Sequence, residues 1–311
     1  MGSEMCIRDR SEASEVEGKH GVLFALAAYT IWGFAPIYFV WVAFATSIEI
    51  VAHRVFWAFP FLALIIWSRN EFALLKFIDR NRLLGLLCSS LCLSINWFTF
   101  VYAVQMEKIS EASLGYFMNP MVSVFLGWLV LRETLGRLQW FAVALAVFAI
   151  LIELSLSQSF PTVSVVLAVS FGFYGLIRKR LAVPSILGLF VETSFVWPMA
   201  ALFLLLSGSL GGNRDVPEIG MLAIGGLVTI VPLLCFASAA LRLRLVTLGF
   251  IQYLAPTISL LVAILIYEES VEGTRWMTFG LIWSAIAIFS IDGMRQIRQT
   301  QDEDGSEIAN G

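Results

Sequence analysis

Apolar residues run through this chain in long stretches separated by short polar breaks, and the lengths of the stretches predict its elements. A bilayer core about 30 Å thick needs roughly 20 apolar residues in one helix. Ten stretches come to about that length, at 21–43, 47–67, 83–105, 110–131, 138–153, 161–177, 184–206, 219–241, 246–267 and 275–293. The connections are short, the longest being Ser68–Arg82 and Ser207–Glu218. No stretch is left for a soluble domain, so function has to sit inside the helix bundle. The expected fold is all-α integral membrane with ten transmembrane helices. Residues 1–18 and the polar tail 294–311 lack helical apolar periodicity and are expected to be unstructured. The first of these has no signal-peptide core and reads more like cloning or read-through sequence than protein.

Composition narrows the class further. Of 311 residues, 59% are apolar and only 14% charged, against about 25% charged in soluble chains. Twenty Lys and Arg face 23 Asp and Glu, which leaves no basic excess to neutralise phosphates and excludes nucleic-acid binding. Cys6, Cys88, Cys92 and Cys235 spell neither a metal set nor a disulfide framework. GxSxG, HExxH, P-loop and CxxC patterns are absent, so neither an enzyme nor a cofactor is expected. The basic residues also predict orientation. Fourteen fall on the side of the bundle that carries the amino end, and only Lys108, Arg214 and Arg275 on the other. The positive-inside rule then puts both termini in the cytoplasm.

Internal repetition appears at a spacing of 136 residues, which separates Pro120 from Pro256, Glu133 from Glu269 and Trp140 from Trp276. Upstream, Pro60 and Pro198 differ by 138. The chain therefore reads as two five-helix halves, 19–154 and 161–293. Five is odd, so the second half enters the membrane from the opposite side and the repeats are inverted.

Several segments carry a resemblance. AAYTIWGFAPIYF (Ala27 to Phe39), EIVAHR (Glu49 to Arg54), EASLGYFMNP (Glu111 to Pro120) and VPLLCFASAALRLRLVTLGFIQYLAPT (Val231 to Thr257) resemble RarD-type permeases of the EamA group, in the drug/metabolite transporter superfamily. The likeness covers roughly Lys19 to Asp292. It implies a ten-helix secondary transporter of two inverted repeats around a central cavity, in a group linked by name to chloramphenicol sensitivity. It does not fix the substrate.

Ionisable side chains deep in a membrane helix are costly and normally face a partner or a wet cavity. His53, Arg54 and Glu192 are the candidates. Arg54 and Glu192 each lie six residues before a repeat-related proline, which suggests matching depths and a charge pair. That pair could couple transport to protons through Glu192 or His53, or it could only fix the register of the halves. Uncharged polar groups with aromatic neighbours form a second set: Asn96 and Trp97, Tyr116 and Asn119, Gln252 and Tyr253, with Trp32 and Tyr174 as further aromatic walls. These positions predict a cavity lined by helices 1, 3, 4, 6, 8 and 9. Helices 5 and 10, with small residues such as Ala142, Ala146, Gly280 and Ser284, read as packing struts or as a homodimer face. The function expected is a permease that moves a small metabolite or drug-like solute across the inner (plasma) membrane, by alternating access and in the direction of export. Its partners are that solute and the lipid bilayer. A membrane-embedded lipid enzyme, which would need clustered carboxylates or a nucleophile–base pair, and a non-transporting scaffold are the alternatives.

Overall fold

The computed structural model describes residues 2–106, 108–156, 161–210, 214–268 and 273–310, and these are helical almost throughout. The helices are α1 (Gly2–Trp41), α2 (Ser47–Ser68), α3 (Arg80–Gln105), α4 (Ile109–Leu131), α5 (Arg137–Leu156), α6 (Thr162–Leu181), α7 (Ser185–Ser207), α8 (Val216–Arg242), α9 (Leu245–Gln252), α10 (Leu254–Leu265) and α11 (Gly273–Asn310). A 3-10 turn, Phe72–Phe77, joins α2 to α3. Ten segments are long and apolar enough to span a bilayer, with α9 and α10 together forming the ninth. The break between them follows from Pro256, which has no N–H to give the carbonyl of Gln252 four residues upstream, and the helix is interrupted at Tyr253. Pro60 likewise frees the carbonyl of Phe56, and the indole of Trp197 on α7 donates to it at 3.2 Å.

Successive spans cross in alternate directions, so α1 enters and α11 leaves at one end of the bundle. That end is called the terminal face and the opposite end the far face. Helix continues at both chain ends, from Gly2 into α1 and through α11 to Asn310, where the sequence reading expects none. Neither extension contains a proline, and both are rich in residues that readily propagate a helix already nucleated in the span.

Packing is reciprocal between the two halves. α1 contacts α8 and α6 contacts α3; α2 contacts α8 and α7 contacts α3; α2 meets α7, α4 meets α9 and α5 meets α11. Exchanging each span with the one five later maps this set onto itself, which is consistent with the inverted repeat. α5 turns Ala142, Ala146 and Ala149, all fully buried, toward Phe279, Ile282 and Ala285 of α11. The alanine face expected as a strut or a dimer surface is thus occupied inside the chain, at the periphery of the bundle. The centre is aromatic. Phe236 stacks on Tyr174 at 5.7 Å and lies 5.0 Å from Phe171, while Trp32 meets Phe171 edge-on at 5.6 Å. Without water to drive helix association, such close contacts and inter-helix hydrogen bonds carry it.

Candidate functional site

Two charged centres lie at opposite thirds of the bundle. The first surrounds Glu192, seven residues into α7 from the terminal face. Its carboxylate lies 3.5 Å from the guanidinium of Arg178, and both side chains are about 1% exposed. Ser89 of α3 donates to Glu192 Oε1 at 2.5 Å and Tyr174 of α6 to Oε2 at 3.5 Å, while Ser90 donates to the Glu192 backbone carbonyl at 2.8 Å. Arg178 adds a bond from Nη2 to the carbonyl of Ser185. The guanidinium packs against Gly188, where a Cβ would sit 1.8 Å from Nη1. Only glycine at this turn of α7 admits the arginine. Three helices, α3, α6 and α7, are tied together here by a dry ion pair with a shell of hydroxyls.

The second centre is Arg54, seven residues into α2 from the far face. Its Nε donates to Thr229 Oγ1 of α8 at 2.7 Å. The guanidinium carbon lies 5.5 Å from the ring of Phe39 on α1 and 5.7 Å from that of Trp97 on α3, distances at which a cation is held by an aromatic face. Gly225 of α8 makes room for its stem, since a Cβ there would meet Arg54 Cγ at 2.9 Å and the Tyr38 hydroxyl at 2.3 Å.

The expected pairing of Arg54 with Glu192 is therefore not what the structure contains. Glu192 pairs with Arg178, and Arg54 is held by Thr229 and two rings. The reason is directional. α2 and α7 enter from opposite faces, so residues seven positions from each start lie about 10 Å from opposite ends of the bundle rather than at one depth. The chain's basic asymmetry shifts slightly for the same reason, because Arg178 belongs to the interior and not to the connection after α6.

A narrow cavity runs between the two centres. It is lined by Val55 and Ala58 of α2, Ser90, Ser94 and Trp97 of α3, Glu192, Thr193 and Val196 of α7, and Thr229, Ile230 and Leu233 of α8. Its centre has room for about one water. Glu192 is part of its wall, as are Thr229 and Trp97, both in contact with Arg54. α3 and α8 line it as the sequence suggests. α2 and α7 complete the wall, and α1, α4, α6 and α9, expected to line the cavity, contribute no residue to it.

Among the other expected residues, Trp97 lines this cavity. Tyr116, on the far half of α4, is 45% exposed and its ring lies 6.4 Å from Phe100. Trp32 and Tyr174 join the central aromatic cluster. Asn96 is turned to a helix contact, donating to the carbonyl of Leu167 at 2.9 Å and to Ser170 at 3.2 Å on α6. Asn119 is buried with its Oδ1 unpartnered among the described residues. Gln252 accepts from the Tyr29 hydroxyl at 3.5 Å, joining α9 to α1. Tyr253 is fully buried and donates to the carbonyl of Phe117 at 3.3 Å. His53 is enclosed at the far face beside Glu49 and Arg214 and away from Glu192, with neither ring nitrogen in hydrogen-bond geometry to a described residue.

Sequence reasoning passed over three charged contacts. Arg178 shares a helical face with Phe171 and Tyr174, at i+7 and i+4, and that register was its available signal. At the far face, Arg214 pairs with Glu49 at 3.1 Å and with Glu218 at 3.6 Å, and Ser209 donates to Glu49 at 2.6 Å. At the terminal face, the Glu133 carboxylate accepts from the backbone N–H groups of Leu245 and Val246 at 2.7 and 2.8 Å, capping α9.

Comparisons with known proteins agree with this architecture. Residues 19–154 match the model of the EamA-like transporter family. The chain is 41% identical to Protein RarD of Escherichia coli (strain K12), over 91% of this chain and 97% of that protein. It is 42% identical to an uncharacterized transporter of Vibrio cholerae, over 90% of this chain and 94% of the other. A chain of known crystal structure superposes with a TM-score of 0.70 at 15% identity, covering 89% of this chain and 98% of its own length, a likeness of fold.

Proposed function

Since the chain belongs to the EamA-like transporter family and is a RarD-type, multi-pass membrane permease within it, we propose that it is a secondary transporter working by alternating access. It carries a small amphipathic metabolite or drug-like solute out of the cell across the inner membrane, with the terminal face in the cytoplasm. The main support is the cavity between α2, α3, α7 and α8, whose wall includes Glu192 of one charged centre and Thr229 and Trp97, which hold Arg54 of the other. Such a cavity lies where the exchange-related pairs α2 with α7 and α3 with α8 meet, which is the interface along which two inverted halves rock. The hydroxyls, the Trp97 ring and the single carboxylate on its wall suit a solute with both apolar and polar parts.

Glu192 is the coupling residue in this reading. Protonation of a carboxylate removes the charge that holds Arg178, so proton uptake and release at Glu192 would loosen and restore the tie between α6 and α7. The test is flux in proteoliposomes, with and without an imposed proton gradient. Wild-type protein should accumulate a transported solute against its gradient. Glu192→Gln should lose accumulation yet keep solute-for-solute exchange, which needs no net proton movement. Unchanged gradient-driven accumulation in Glu192→Gln would exclude the coupling role, and absence of any saturable flux would exclude the carrier.

A further inference from the structure

Among the described residues, Arg54 is a cation without an anion. The carboxylates on its own span and on the span facing it are taken, Glu49 by Arg214 and Glu192 by Arg178. Among the described residues, only its Nε is hydrogen-bonded, to Thr229, which leaves both terminal nitrogens of the fork without a partner. Residues of three other helices lie against the guanidinium, Phe39 of α1, Trp97 of α3 and Thr229 of α8, and turn it from lipid toward the interior of the bundle. Its partial exposure is therefore to an internal space on the far half of the bundle. That space is walled by rings, with Phe100 lying 6.3 Å from Phe39 and 6.4 Å from Tyr116. A second unsatisfied group points to the same place. The Tyr38 hydroxyl is buried with no partner among the described residues, and a Cβ built on Gly225 would touch both that hydroxyl and the Arg54 stem.

From this arrangement we propose that Arg54 and Tyr38 form an anion site for the carboxylate of a solute with a flat apolar body. Two parallel N–H groups of a guanidinium fork match the two oxygens of a carboxylate. The Tyr38 hydroxyl supplies a third donor. Phe39 and Trp97 cover the guanidinium and keep water from competing, while Phe100 and Tyr116 offer ring faces to the body of the ligand. An inorganic anion would satisfy the charge and leave those rings without a role. The site rests on the transporter reading for its place on a solute pathway, but binding can be measured without transport.

The experiment uses the full chain in lipid nanodiscs with 2-naphthoate, the uncharged 2-naphthamide and inorganic phosphate as probes, titrated calorimetrically near neutral pH. Naphthoate should bind saturably and about tenfold or more tighter than the amide, as expected for a charge-assisted bidentate contact. Arg54→Gln should abolish that preference, and Tyr38→Phe should weaken naphthoate severalfold while leaving the amide unchanged. The acid-to-amide ratio on the unaltered chain tests the site even where Arg54→Gln fails to fold. Equal affinity for acid and amide, an undiminished preference in folded Arg54→Gln, or displacement of naphthoate by equimolar phosphate would each overturn the proposal. Binding with no flux of any solute would sink the carrier and spare the site, whereas flux of other solutes without naphthoate binding would do the reverse.

Discussion

Replacing Arg178 by methionine tests the centre of the terminal-face cluster. The substitution keeps an unbranched chain in the slot over Gly188 but removes the charge 3.5 Å from Glu192. At an effective dielectric near 20, the direct attraction at that separation is about 5 kcal/mol. Desolvation of both ions offsets much of it when the pair as a whole is compared with apolar residues. Loss of one partner is a different comparison. Glu192 would remain with the Ser89 and Tyr174 hydroxyls alone, a buried carboxylate with two donors and no counter-charge, and breaking a buried pair in this way costs about 3–5 kcal/mol. Glu192→Gln alone should cost a similar amount, because it strands a guanidinium whose Nε and Nη1 already lack hydrogen-bond acceptors. The double variant removes both charges and should cost well under the sum, giving a coupling of about 2 kcal/mol or more. Reversible SDS-driven unfolding of the four proteins in mixed micelles, followed by tryptophan fluorescence, gives the cycle. Additivity within about 0.5 kcal/mol would show that the two side chains are neighbours without being partners.

Three further outcomes follow from the same geometry. Gly188→Ala should destabilise the chain by about 1–3 kcal/mol or more through overpacking, because its Cβ would sit 1.8 Å from Arg178 Nη1; in the same unfolding assay, a penalty undiminished when Arg178→Met is also present would contradict that contact. Arg54→Ala and Glu192→Ala should have additive effects on stability, since each residue has its own partners at opposite thirds of the bundle, and a strong coupling between them would revive the direct pair. A carboxyl-terminal alkaline phosphatase fusion, active only outside the cytoplasm, should be inactive in cells, and high activity would reverse the orientation drawn from the basic residues.

How much of this was legible in the sequence depends on what kind of information each feature needs. The ten spans were, because span length is set by bilayer thickness and every backbone polar group must be satisfied within its own helix. The interruption of the ninth span was foreshadowed by Pro256, whose missing donor is a local fact. Asn96 announced that it needed a partner, yet only the docking of α3 on α6 decides that the partner is Leu167 and Ser170 and that the amide is structural. Arg178 was missed because an apolar-run count stops at the first charge, and a helix does not. Four residues beyond Tyr174 of α6, that count reaches RKR and assigns it to a loop, while the 100° step per residue keeps Arg178 on the buried face. Glu192 was found as a charge at depth, but its partner was sought at the repeat-related position. An inverted repeat sends equivalent positions to opposite depths, so symmetry pointed to Arg54 where proximity supplied Arg178.

The two ion pairs that join helices around Glu192 and around Glu49 differ in how wet they are. Arg178 and Glu192 are each about 1% exposed, whereas Arg214 and Glu49 at the far face are 18% and 13% exposed. Separating the far-face pair moves partly buried groups that already reach solvent into more of it, so part of the lost attraction is replaced by hydration. Separating the terminal-face pair while it stays dry leaves two unpaired charges in a low-dielectric site, a much larger cost. That cost falls only where water enters, where a proton neutralises Glu192, or where a bound solute supplies a new partner. A carrier with one easily opened end and one end that opens only with a proton or a ligand has a built-in dependence of its slow step on what occupies the cavity. In the proposed carrier that dependence falls to Glu192, the residue that belongs both to the buried ion pair and to the cavity wall.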